Sequence, residues 1–129
     1  MAAREPFQYA LVRVVPRVER GESLNAGVVL FCRQRQFLQA RTTLDEAALA
    51  ALAGGCDPAE LRSQLETVEA VAAGDASGGA VATMPQSERF HWLTAPASTI
   101  VQPSPVHTGL TGDPAVELDR LFGALVSRP

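Results

Sequence analysis

From Phe7 to Val15 the chain alternates as a strand does. Tyr9, Leu11, Arg13 and Val15 share one face, and Ala10, Val12 and Val14 share the other. Arg13 is a charge inside an otherwise apolar segment. Pro16 stops the run, because proline has no N–H to give a ladder. Ala26 to Cys32 is apolar almost without interruption, the pattern of a central strand covered on both faces. After a turn at Gln34-Arg35, Gln36 to Thr42 alternates again, with Phe37, Gln39 and Arg41 against Leu38, Ala40 and Thr42. Three strands joined by short connections predict an antiparallel meander.

The period then changes to that of helices. Thr43-x-x-Glu46 reads as a capping box before Ala47 to Ala53, and Gly54-Gly55 ends that segment. Asp57-Pro58-Ala59-Glu60 repeats the start signal, with Asp at the N-cap and Pro at the first helical position. Leu61, Leu65, Val68 and Ala72 follow as one apolar stripe. Residues 74–85 are rich in Gly, Ala and Ser and read as a loop. Ser87-Glu88 opens a short helical turn through Leu93, ended by Pro96, with Phe90 and Leu93 facing the core. Residues 98–102 suggest a short strand. The prolines make 103–109 an extended, non-helical segment. Gly112-Asp113-Pro114 starts a last helix with Leu118, Leu121, Phe122 and Leu125 on one face. Strands followed by helices predict an α+β fold: a small antiparallel sheet of three to five strands with about three helices packed on it.

A length of 129 residues suits a single domain over 1–129, and 47% apolar residues suffice for one core. The formal charge of -3 argues against a general nucleic-acid binder. All the basic residues are Arg, so Schiff-base chemistry and a lysine phosphate loop are excluded. Cys32 and Cys56 are isolated from each other, which speaks against a structural zinc site; two histidines exclude a His-rich metal site but not a mixed His and carboxylate one, and the sequence names no cofactor. There is no apolar leader at Met1-Ala2-Ala3 and no run of 18 apolar residues, so a cytoplasmic protein without a membrane span is expected.

Nucleotide-loop, nucleophile-elbow, zinc-helix and calcium-loop motifs do not occur. Three constellations remain. The first is the charged loop from Arg17 to Asn25. Arg17 and Arg20 offer planar donors for a carboxylate or phosphate, Glu22 is a candidate acid/base, and Asn25 presents an amide. The bland alternative is a solvated loop whose charges pair loosely. The second is the stiff segment Gln102-Pro103-Ser104-Pro105-Val106-His107-Thr108-Gly109. His107 is its candidate acid/base and Thr108 a candidate binding residue; the bland alternative is a histidine bonded to a backbone carbonyl. The third is Glu88-Arg89-Phe90-His91-Trp92, where Arg89 is a candidate binding residue and the rings either stack a ligand or pack on the core. Arg13, also a candidate binding residue, needs a partner if buried, with Glu22 and Glu88 as the carboxylates considered.

Tyr9, Arg13, Pro16, Arg20, Glu22, Asn25, Gly27 and Val28, with Glu88-Arg89-Phe90-x-Trp92-Leu93 and residues 102–109, resemble the bacterial domain-of-unknown-function family 3037 over nearly the whole chain. The resemblance brings no activity, cofactor or catalytic residue with it. Members are often encoded beside a HipA-like protein kinase, so it implies a kinase-like partner, by analogy. Two functions are therefore weighed. The preferred one is a non-catalytic binding or regulatory module for a partner protein. The other is a small enzyme acting on an anionic phosphoester or nucleotide, which requires Arg20, Glu22, Asn25 and His107 to line one pocket. A third reading has these polar residues only brace the fold.

Overall fold

The computed structural model describes residues 3–97 and 99–127; Met1, Ala2 and Ser98, on which parts of the expectations above fall, lie outside that range. The first strand, β1 (Glu5–Val14), pairs antiparallel with β2 (Leu24–Cys32), and β2 pairs antiparallel with β3 (Phe37–Thr42). This is the predicted meander. Two short strands, β4 (Val101–Pro103) and β5 (His107–Thr111), then share the other edge of β1. β4 lies along Val12 to Val14 and β5 along Glu5 to Tyr9, both antiparallel. The result is a five-stranded antiparallel sheet in an α+β fold.

Four helices cover the sheet: α1 (Glu46–Leu52), α2 (Pro58–Ala73), α3 (Gln86–Thr94) and α4 (Pro114–Leu125). The face carrying Ala10, Val12 and Val14 packs against α1, α2 and α3 through Leu49, Leu61, Leu65, Ala72 and Phe90. The opposite face packs against α4, whose Leu118, Leu121 and Phe122 meet Phe7, Val28, Leu30 and Cys32. β2 therefore contributes to both cores, and Val28, Val29 and Leu30 are sealed from solvent, as its unbroken apolar run requires. Each such side chain stabilises the fold by about 1.5–3 kcal/mol.

The helix starts follow local chemistry. Asp57 and Asp113 accept hydrogen bonds at the N-termini of α2 and α4, each followed by proline. The capping box at Thr43 does not form. Thr43 N–H donates to Ala26 O at 2.8 Å and so prolongs the β2–β3 ladder; α1 begins later, with Asp45 accepting from Ala48 N–H. The loop predicted after α2 contains two short 3-10 turns, Ala76–Gly78 and Ala80–Thr83, and it buries Ala82.

The C-terminus of α2 is tied down twice. Gly74 adopts φ +74°, and the N–H groups of Gly74 and Asp75 turn back to Val71 O and Ala70 O. Arg89 then inserts its guanidinium from α3, donating to Val71 O at 3.0 Å, Ala72 O at 2.8 Å and Met84 O at 2.9 Å. A Cβ on residue 74 would stand 3.0 Å from Arg89 Nη1, so glycine serves the cap in space as well as in dihedral angle. Arg89 is 8% exposed. A buried guanidinium here is neutralised in part by the negative end of α2 and needs no carboxylate. Arg89→Met, which keeps the apolar stem but leaves buried carbonyls unpaired, is expected to cost at least about 2 kcal/mol. Urea unfolding of the two proteins checks this.

Candidate binding surface

The charged loop leaves β1 at Val15 and Pro16. Its Val18–Arg20 segment forms a 3-10 turn closed by Gly21 at φ +69°. Residues 17–23 are all exposed. Arg20 and Glu22 form an ion pair with each other at the surface, so two of the candidate residues satisfy one another. Such a pair contributes about 0–1 kcal/mol. Asn25 is committed as well: its Nδ2 donates to Leu125 O at 3.0 Å and ties the start of β2 to the last turn of α4.

Arg13 lies opposite Asn25 on β2 and Gln102 on β4. The pairing of β1 with β2 shifts register between Val12 and Arg13, a bulge that leaves Ala26 as the extra residue. Val12 and Val14 point to the α2 side, so Arg13 between them points to the α4 side. Neither expected carboxylate meets it. Glu22 is held by Arg20, and Arg13 has no side-chain hydrogen bond or ion pair among the described residues. It escapes the penalty of a buried charge because it is only half-buried.

The second constellation divides by face. Tyr9 and His107 are cross-strand partners, with ring centroids 5.2 Å apart, and Phe7 continues the row 6.0 Å from Tyr9. The expected bond from His107 to a backbone carbonyl does not form among the described residues; its contact is the Tyr9 ring. Gly109 opposes Phe7, and a Cβ there would come within 2.7 Å of the Phe7 ring, so glycine lets that ring lie flat over β5. Thr108 opposes Gln8 and projects from the other face, exposed and away from His107.

Ser104 belongs to the fold. At 3% exposure it sits in the break between β4 and β5. Its N–H donates to Leu11 O and its Oγ accepts from Leu11 N–H, both at 2.8 Å, while its hydroxyl donates to Pro105 O. The side chain thus completes a ladder that the flanking prolines interrupt.

The third constellation also divides. Phe90 is buried against Phe31, with ring centroids 5.3 Å apart, while His91 and Trp92 are exposed, so no joint stacking platform forms. Trp92, 49% exposed, borders an uncharged cleft of about 440 Å³ with Val68, Leu93, Val101 and Gln102.

The α4 side of the sheet is therefore covered only in part. α4 lies along β2, where Val28, Leu30 and Cys32 are buried. Tyr9 and Leu11 are half-buried at the margin of that core, and the strip continues to Arg13 and the exposed His107. Tyr9 and Arg13 are four residues apart on β1, roughly 13 Å along the strand, and His107 and Asn25 pair with them from opposite edges of β1, so they stand farther apart still. Asn25 lines a shallow cleft with Arg41, Thr42 and Phe122, to which Arg20, Glu22 and His107 do not contribute. The four residues required by the enzyme reading do not share one pocket. No group of three metal-ligating side chains that could hold an ion occurs among the described residues. No helix among them is long and apolar enough to cross a membrane.

The half-covered antiparallel sheet defines a small α+β domain with a strip of Tyr9, Leu11, Arg13 and His107 on one face. The chain belongs to the family described as a protein of unknown function (DUF3037), whose model matches residues 9–126. Comparison with curated proteins and with solved structures gave no match. The residues that carry the family resemblance thus sort by role. Asn25, Gly27, Arg89, Ser104 and Gly109 are engaged in the fold, whereas the side chains of Arg13 and His107 have no hydrogen bond or ion pair among the described residues.

Two substitutions separate these roles. Ser104→Ala leaves the Leu11 N–H without its acceptor and is expected to lower stability by about 1–3 kcal/mol. His107→Ala loses one ring contact at the surface and is expected to cost no more than about 1 kcal/mol. Chemical denaturation of both variants measures the difference.

Proposed function

We propose that this domain is a non-catalytic binding module of the bacterial cytoplasm, docking on a partner protein through the strip of Tyr9, Leu11, Arg13 and His107. The observation that carries this reading is Arg13. A guanidinium on a sheet face, beside the half-buried Leu11 and with no hydrogen bond or ion pair among the described residues, is suited to a carboxylate supplied from outside. Tyr9 and His107 add a flat aromatic surface beside it. The charged loop adjoins the Arg13 end of β1, where Arg17 and the Arg20–Glu22 pair form a polar rim. A HipA-like kinase is the partner suggested by the family resemblance.

The test is native mass spectrometry of the protein purified gently from its own cells. A second polypeptide at fixed stoichiometry is expected with the wild-type chain. Its loss is expected with Arg13→Glu, at unchanged circular dichroism and unfolding midpoint. A wild-type chain that flies alone, or a complex indifferent to Arg13→Glu, sinks the proposal.

A further inference from the structure

On the far edge of the sheet, away from the strip, β3 has no strand beside it among the described residues. The direction of its free backbone groups follows from one bond. Thr42 N–H donates to Glu69 Oε1 at 3.0 Å and not to β2. Residues of an antiparallel strand alternate between bonding their neighbour and facing away from it. Phe37, Gln39 and Arg41 therefore bond β2, and Leu38 and Ala40 turn their N–H and C=O groups outward with Thr42. The two ends of this edge are occupied: Glu69 holds Thr42, and Gln86 Nε2 donates to Gln36 O at 2.8 Å. Between them the ladder stands open, without the proline or lysine that commonly blunts an edge.

A groove of about 600 Å³ runs along this open edge, between β3 and α2. Leu38, Ala40, Ala70 and Ala73 give it a small apolar lining, and Glu66, Glu69 and Asp75 give it charge. No basic residue lines it among the described residues, and none of its three carboxylates is in an ion pair there. Hydrogen bonds from the Ser77 N–H and hydroxyl hold the Asp75 carboxyl below its ordinary value.

We propose that the open edge of β3 accepts an extended, basic segment of another polypeptide as a sixth strand. Main-chain bonds to Leu38 and Ala40 would supply register, and alternate side chains of the incoming segment would enter the groove toward Glu66, Glu69 and Asp75. Charge selects the occupant. A second copy of this chain paired through β3 would set one acidic groove beside another, and a nucleic acid would meet like charge. This surface is independent of the Arg13 strip, which lies on the opposite side of β2.

The experiment is an NMR titration of the ¹⁵N-labelled protein with a blocked seven-residue peptide alternating arginine and valine. The same peptide with glutamate in place of arginine is the control. The arginine peptide is expected to shift the Leu38 and Ala40 amides and protect them from exchange, with affinity falling as salt is raised. Ala40→Pro removes an outward N–H at the edge while leaving the bonds of Gln39 and Arg41 to β2, and Glu66→Lys reverses one charge of the groove. Each is expected to weaken binding at least about tenfold, and Arg13→Glu is expected to leave it unchanged. No binding, equal binding of the glutamate peptide, shifts confined to the α4 side, or binding that survives both groove variants overturns the proposal. A dimer in sedimentation that Ala40→Pro abolishes overturns it in favour of self-pairing.

Discussion

The outer edge of β1 is the constraint on which the arrangement depends. β1 is ten residues long, and no single partner strand covers that edge. β4 and β5 divide it, and between them the chain reads Pro103-Ser104-Pro105, where two residues have no N–H to give. Ser104 resolves the difficulty by bonding Leu11 twice, once through its own N–H and once through Oγ. The position of that splice sets the register of everything after it. It places His107 opposite Tyr9 and Gly109 opposite Phe7, and the ring pair of the exposed strip follows. A fold element thus determines where the uncommitted side chains appear.

A second constraint acts at the other end of the molecule. The last turn of the sixteen-residue α2 buries Val71 and Ala72, so its last carbonyls cannot all rely on water. The Gly74 turn satisfies those of Ala70 and Val71, and Arg89 shares Val71 and adds Ala72. Because Arg89 comes from α3, this cap also joins α3 to α2 and holds Phe90 against Phe31. The bonds are charge-assisted and stronger than those between neutral groups. An arginine that looks like a ligand-binding residue in the sequence is here an internal brace.

What was legible in the sequence follows the range of the interactions involved. The continuous run Ala26 to Cys32 announced a strand covered on both faces, since burial on both faces is a property of the strand itself. Asp57-Pro58 and Asp113-Pro114 announced helix starts because capping is local. Thr43 misled for a non-local reason: the ladder to Ala26 took its N–H before the helix could. The partners proposed for Arg13 were wrong for a similar reason. Glu22 had a nearer cation in Arg20, and no pattern in one sequence reveals which pairing wins. The role of Arg89 was hidden because its partners are main-chain carbonyls, which have no identity in a sequence. The division of β1 between β4 and β5 was hidden because a three-residue strand carries too little pattern to be seen.

The separation of braced from free polar residues bears directly on function. A polar residue retained for the fold should have its bonding groups met within the chain, and Asn25, Arg89 and Ser104 meet that condition. Among the described residues the side chains of Arg13 and His107 do not, although they belong to the same recognisable pattern. Bracing alone therefore accounts for only part of the motif. Joint acid/base work would need its groups within hydrogen-bond reach of one reacting atom, and the spacing along β1 keeps Arg13 and His107 apart. Recognition has no such requirement. An interface can use an arginine at one position and a ring pair two alternations away, provided both face the same partner. The pleat of β1 guarantees that they do, since Tyr9, Leu11 and Arg13 project from a single face.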